Sequence, residues 1–194
     1  MGIALTFDDG PHPDNTPKLL EILSVNNVKA TFFVVGKMAK ANPGVLRRIF
    51  GEKHQVCNHS WSHPNFKNLS DDQVRAEVQD TQKLIEDTLG LCFRDQVLRP
   101  PYGAITKAQR TLVKDLGFVL EGWNVDPLDW KFKDAAKVAK AILDGTKDGQ
   151  VVLSHDIHKT TVEAMKTVIP GLKAKTFTLG TISQLNLFTT SALG

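Results

Sequence analysis

Seven short apolar runs alternate with helix-patterned stretches along this chain, and most of the runs stop at charged or imidazole-bearing residues. That alternation points to parallel βα units, because parallel neighbours need a crossover connection, usually a helix, whereas a sandwich needs strand after strand. The expected strands lie in the opening stretch 3–11 and over 30–35, 55–58, 96–99, 118–125, 151–154 and 176–182. The opening stretch, I-A-L-T-F-D-D-G-P, reads as a buried strand that ends abruptly in a tight turn, which puts Asp8 and Asp9 at its C-terminal end. Successive strand side chains face opposite ways, so both carboxylates reach one site only if the chain twists there, as Gly10-Pro11 permits. Periodicity leaves open whether the sheet closes.

The helices announce their ends. Thr16-Pro17 supplies an N-cap and a first-turn proline for a helix with Leu19, Leu20, Ile22 and Leu23 on its apolar face. Asn42-Pro43 starts a short helix carrying Val45, Leu46 and Ile49, which Gly51 ends. Ser70 with Gln73, and Thr106 with Gln109, form capping boxes. The apolar faces behind them run through Val74, Val78, Ile85 and Leu89, and through Leu112, Val113 and Leu116, with Gly90 and Gly117 as stops. Asp134 caps a helix with Val138 and Ile142 that Gly145 ends, and a helix over 161–173 is expected to break or end at Pro170.

With 194 residues and no Pro/Gly/Ser-rich linker, the chain reads as one domain, 1–194. Hydrophobic content of 41% with 23% charged residues excludes a disordered or collagenous chain. No apolar run approaches the ~20 residues that span a bilayer. Met1-Gly2 leads straight into a core strand, so no signal peptide is read, and the protein is either cytoplasmic or exported by a segment outside this sequence. The formal charge of +3 is scattered, which gives weak support for an anionic polymer as partner and none for nucleic acid. Cys57 and Cys92 lack C-x-x-C spacing, which argues against a thiolate zinc site and leaves a single disulfide open.

Chemistry-bearing residues collect at the expected strand ends: Asp8 and Asp9, His59 and His63, Arg99, Asp126 and Asp129, and His155. In a parallel α/β layout these ends share one face. In H-S-W-S-H, His59 and His63 are four apart, which puts both imidazoles on one side if the segment turns helically. Adding Asp9 gives two imidazoles and a carboxylate with a coordination position left over, the donor set of a catalytic metal site. In R-P-P-Y-G the two prolines leave the Tyr102 amide as the first free donor, aimed in a fixed direction and able to stabilise an oxyanion; Arg99 would neutralise and orient a carboxylate such as Asp8. D-P-L-D-W and L-S-H-D suggest a histidine, His155, held by an acid. Taken singly, each of these segments is also compatible with a turn that carries no chemistry.

Taken in order, T-F-D-D-G-P, N-H-S-W-S-H-P, R-P-P-Y-G, D-P-L-D-W and L-S-H-D resemble the five motifs of the polysaccharide deacetylases, carbohydrate esterase family four, from Thr6 to Asp156. The resemblance implies a distorted (β/α)7 barrel and metal-dependent removal of acetyl groups from N-acetylglucosamine polymers such as chitin, chitooligosaccharides or peptidoglycan, or from acetylated xylan. It implies Asp8 as general base and Asp9, His59 and His63 as ligands of one divalent ion, zinc first, with cobalt or nickel as substitutes. It further implies His155 as general acid, Arg99 positioning Asp8, Asp129 pairing with His155, the Tyr102 amide at the oxyanion, and Trp130 and Leu153 walling the acetyl pocket. The partner would be an acetylated polysaccharide or oligosaccharide, met by a monomer in the cell envelope or outside the cell. Departures from the pattern are Cys57, expected to pack in the core one layer beneath His59, and the segment 89–96. His12, His54 and His158 are read as structural or solvent-facing. The alternatives are an acetylxylan O-deacetylase using the same site, a small-molecule amidohydrolase, and a non-catalytic glycan-binding or metal-storing domain.

Overall fold

The computed structural model describes residues 2–93 and 96–194; Met1 and, within the atypical segment 89–96, residues 94 and 95 lie outside it. The strands are β1 (Gly2–Asp8), β2 (Thr31–Val34), β3 (Gln55–Asn58), β4 (Gln96–Leu98), β5 (Phe118–Leu120), β6 (Gln150–Val152) and β7 (Thr178–Gly180). The helices are α1 (Asn15–Val25), α2 (Gly36–Ala41), α3 (Pro43–Gly51), α4 (Asp71–Leu89), α5 (Lys107–Asp115), α6 (Asp129–Phe132), α7 (Ala135–Gly145), α8 (Lys159–Ala174) and α9 (Ile182–Leu185).

Every strand pairing is parallel, in the order β5-β4-β3-β2-β1-β6, with β7 beside the first half of β1. Just past β5 the chain reaches β6 through a bridge between Val125 and Val152, so the sheet curls back on itself. The closure rests on that short contact instead of a full ladder, and the result is the expected distorted (β/α)7 barrel.

Two-residue alternation sorts the core. Ile3, Leu5 and Phe7 of β1 join Phe32, Val34 and Val56 under the helices, where α1 adds Leu19, Leu20 and Leu23, all fully buried. Each such side chain contributes on the order of 1.5–3 kcal/mol by leaving water. The opposite positions, Ala4, Phe33, Cys57, Val97 and Val151, fill the barrel interior. Cys57 is therefore a packed core thiol, as expected, whose burial raises its pKa; Cys92 is exposed, and both are free. Continuing the inward row along β1 brings Thr6 and then Asp8 to the barrel's C-terminal rim.

Both capping boxes form, and Gly90 and Gly117 adopt the positive φ that ends a helix. Other expectations are corrected. Thr16 is not an N-cap: it lies within α1, where its hydroxyl accepts the His12 N–H and donates to the buried Asp156. The fifth strand stops at Leu120 because residues 121–125 turn away to meet β6. α8 runs through Pro170 to Ala174: the proline faces solvent, while buried Val168, Ile169 and Leu172 hold the helix against the sheet. The seventh strand covers only Thr178–Gly180, and Ile182 already belongs to α9.

Candidate active site

The strand ends do converge, and the local backbone shows how. Asp8 is the last inward residue of β1 and is 2% exposed. Asp9 follows with φ 74, a left-handed conformation that carboxylate residues tolerate, and this turns its side chain to the same rim. The twist thus falls on Asp9 itself. Gly10 is needed for a different reason, since a Cβ there would collide with the Asp156 carboxylate. Burial pushes that carboxyl up to about 7.

His59 and His63 meet without a helix. The segment after β3 is an irregular turn with positive φ at Ser60 and His63, tied by the His63 N–H to the Ser60 hydroxyl at 3.0 Å. Their ring centroids are 4.9 Å apart. Asp9 Oδ1 lies 3.5 Å from His59 Nε2 and 3.2 Å from His63 Nε2. It is buried and accepts no hydrogen bond among the described residues. His59 Nδ1 is 2.7 Å from the Arg99 carbonyl, so it carries the proton and leaves the Nε2 lone pair facing the cluster. A tetrahedral zinc with bonds of about 2.0–2.1 Å needs donors roughly 3.3 Å apart, so this trio fits one ion. The charges agree: burial alone would raise Asp9, but His59 and His63 hold it well below the usual carboxylate range, while burial and its neighbour His59 lower His63.

Two buried pairs flank the trio. Arg99, fully buried, donates from Nη1 to Asp8 Oδ1 and to Thr6 Oγ1, both at 2.7 Å, and from Nη2 to the Gly122 carbonyl at 2.6 Å. On the other side, Asp129, the first residue of α6, accepts His155 Nδ1–H at 2.8 Å, the His155 backbone N–H at 2.8 Å and the Thr161 hydroxyl at 2.7 Å. Burial by itself would lower His155, yet Asp129 together with Asp8 and Asp9 raises it to about 9. Those same hydrogen bonds keep Asp129 below its ordinary value despite its burial.

Asp8, Asp9, His59, His63 and His155 share a cavity of about 530 Å³ with walls from Pro100, Tyr102, Trp123, Trp130 and Leu153. Trp130 is half exposed at its mouth and Leu153 is buried in its wall. Tyr102 sits at φ 60 in a tight turn, its ring edge-on to that of His63 with the centroids 4.6 Å apart, and no backbone carbonyl among the described residues accepts its N–H. The ten residues given roles from the sequence meet here, Arg99 and Asp129 from behind the wall, and Asp126, the other strand-end acid, lines the same cavity. Trp123, also a wall, was missed because it falls inside the stretch 118–125 read as strand, whereas β5 ends at Leu120 and the chain has already turned onto the rim by Trp123. The other histidines stand apart: His54 is buried beneath β2, accepts the Ala30 N–H at 3.1 Å and is pushed down to about 4 by burial, His12 accepts turn N–H groups, and His158 lies 6.1 Å from the His155 ring.

Comparison with known proteins agrees with this architecture. The family model described as polysaccharide deacetylase matches residues 2–120. The peptidoglycan-N-acetylglucosamine deacetylase PgdA of Listeria monocytogenes is 43% identical over 183 residues, which cover 94% of this chain but 38% of that protein, so the chain spans well under half of that relative's length. A chitooligosaccharide deacetylase of Azorhizobium caulinodans is 33% identical over 191 residues, covering 91% of this chain and 90% of that one. The solved structure of the peptidoglycan deacetylase PdaC from Bacillus subtilis superimposes with a TM-score of 0.89 at 37% identity, covering 95% of this chain and 89% of that chain. With its motifs assembled on one barrel rim and its sequence matched over most of its length, the chain belongs to the polysaccharide deacetylase family.

Proposed function

We propose that this protein hydrolyses the acetamido group of N-acetylglucosamine units in glycan chains, releasing acetate and a free amine. The supporting observation is that one cavity presents an arginine-held carboxylate, a carboxylate-held imidazole and a His-Asp-His trio. Asp9, His59 and His63 would hold a divalent ion, zinc first, whose Lewis acidity toward water and the acetyl carbonyl is the chemistry it would supply. Asp8, fixed by Arg99, accepts the proton of the attacking water. The Tyr102 N–H donates to the oxygen that becomes negative as the carbonyl turns tetrahedral. An amine anion leaves poorly, so His155, kept protonated by Asp129, delivers a proton to the departing nitrogen. Trp130 and Leu153 give the acetyl methyl an apolar wall, and the half-exposed Trp130 face at the open mouth suits the flat side of a sugar ring. The groups form a complete site within one chain, and the protein is read as acting as a monomer. The glycans named for the relatives belong to cell-envelope and chitin-type polymers, which favours work at or beyond the cell envelope.

The test is acetate release from a panel of N-acetylated chitooligosaccharides, peptidoglycan fragments and O-acetylated xylan. Release from the N-acetylated glycans supports the reading, release from acetylxylan alone replaces it with an O-deacetylase on the same groups, and no release from any of them overturns it.

A further inference from the structure

Arg99 is braced from behind by a segment whose far side is also held. Its Nη2 donates to the carbonyl of Gly122, and the flanking residues are Glu121, a fully buried carboxylate, and Trp123, a wall of the cavity. Against this segment lies the stretch 187–194 that follows α9. Thr189 donates its N–H to both oxygens of Glu121, at 3.2 and 3.3 Å, and its carbonyl accepts the Gly122 N–H at 2.7 Å. The Ser191 carbonyl accepts the Trp123 N–H at 3.2 Å. Farther along, Gly194 N–H bonds the Gly103 carbonyl at 3.0 Å and the Gly194 carbonyl accepts the Ile105 N–H at 3.2 Å. Leu187 and Trp123 both pack against the cluster that fills the barrel interior, and Leu193 joins the cluster of Ile105 and Leu120. The approach is close enough that a Cβ at Gly122 would collide with the Ser191 carbonyl.

We propose that residues 187–194 form a strap, clasped by Glu121 through Thr189, that positions two walls of the cavity at once: Trp123 and the turn carrying Tyr102. Glu121 is fully buried, burial pushes its carboxyl up to about 8, and among the described residues its hydrogen bonds all come from one backbone N–H of a surface segment, a costly arrangement unless that segment stays docked. The strap has no direct contact with Asp9, His59 or His63 among the described interactions and reaches them only through Tyr102, whose ring lies against His63, and Arg99, whose carbonyl accepts His59 Nδ1–H, so its first effect is on substrate placement and its effect on ion binding is the smaller one. Glu121 and Thr189 are thus positioning residues, an inference that rests on the deacetylase reading for its kinetic part.

The test compares the whole chain with Thr189→Pro, Glu121→Leu, Glu121→Gln and the Thr189→Pro/Glu121→Leu double variant. Three quantities are read: kcat/KM for acetate release per zinc-loaded chain, the zinc Kd against a chromophoric chelator, and amide hydrogen exchange. The strap predicts that Thr189→Pro and Glu121→Leu each lower kcat/KM by up to about tenfold, as fits loss of one hydrogen bond to a buried, largely neutral carboxyl group, with the double variant no worse than either. Glu121→Gln, whose amide oxygen still accepts the Thr189 N–H, stays near wild type. The amides of Ile105, Gly122 and Trp123 lose protection while those of Asp8 and His59, bonded elsewhere, keep theirs. Gly122→Ala, which displaces the strap by collision, reproduces the pattern without touching Glu121 or Thr189. Unchanged kcat/KM per loaded chain, additive losses, zinc binding weakened by as much as kcat/KM, or undisturbed exchange at Trp123 overturns the proposal. A wild-type protein inactive on every glycan refutes the deacetylase reading, and hydrogen exchange then decides the strap by itself.

Discussion

Arg99 is a guanidinium with no exposed surface, 3.9 Å from the Phe33 ring centroid and 5.7 Å from that of Trp123. A buried charge persists only when it is paired, and its partners here are Asp8, Thr6 and the Gly122 carbonyl. This fork holds Asp8 Oδ1 and leaves Oδ2 facing the cavity, 3.6 Å from His59 Nε2. Asp8→Asn keeps the shape and removes the basic oxygen. It should lower kcat by about 10²–10⁴-fold, the usual worth of a general base, with zinc affinity retained in a chelator competition; near-normal kcat would refute the base assignment. His155 gives a prediction with a definite sign. It acts as an acid while protonated, so the rate should fall as pH rises through about 9. Asp129→Asn removes the partner that raises it, and the alkaline limb of kcat should move downward toward the ordinary imidazole value of about 6.5. A limb that stays put would assign the acid elsewhere.

At the scale of elements, the rim depends on how strands hand over to turns. Asn58 closes β3 by donating to the Val78 carbonyl of α4 at 2.9 Å while its Oδ1 accepts the Ser60 N–H at 2.9 Å, which anchors the turn between His59 and His63 to the long helix behind it. Asn58→Ala should therefore weaken zinc binding by about 10–100-fold, the usual cost of losing an outer support of a metal ligand, and this is measurable by competition titration. An unchanged Kd would mean the turn holds itself. Leu20→Ala in α1, far from the rim, should instead cost about 2–5 kcal/mol in urea unfolding and leave zinc affinity unaltered. The elements themselves were largely legible, because Ser70-Gln73 and Thr106-Gln109 satisfy free helix N–H groups by local rules and the apolar runs obey fixed periods. The turns were less so. The left-handed φ of Asp9 and His63, the role of Thr16 against Asp156 and the clasp between Glu121 and Thr189 all arise from contacts between residues far apart in sequence. The helix through Pro170 was misjudged for a related reason: local propensity favours a break, and buried neighbours from other elements override it.

For the molecule as a whole, the barrel serves to deliver β1, β3, β4 and β6 to one rim, so that carboxylates, imidazoles and a guanidinium meet although they are up to 147 positions apart in sequence, from Asp8 to His155. No described helix is long and apolar enough to cross a membrane. Ion binding to the folded rim should couple to global stability: chelation should lower the thermal midpoint, and zinc at 100 times its Kd should restore about 2.7 kcal/mol. The same coupling frames the most direct test of the central claim, that Asp9, His59 and His63 grip one catalytic ion. Acetate release from an N-acetylated chitooligosaccharide is followed in protein stripped exhaustively of metal, then titrated with zinc, beside His63→Ala treated identically. The account predicts that release vanishes on stripping and returns at one equivalent per chain, with no recovery at that dose in His63→Ala. Full activity in the stripped protein, or recovery in His63→Ala at the same equivalence point, would contradict it.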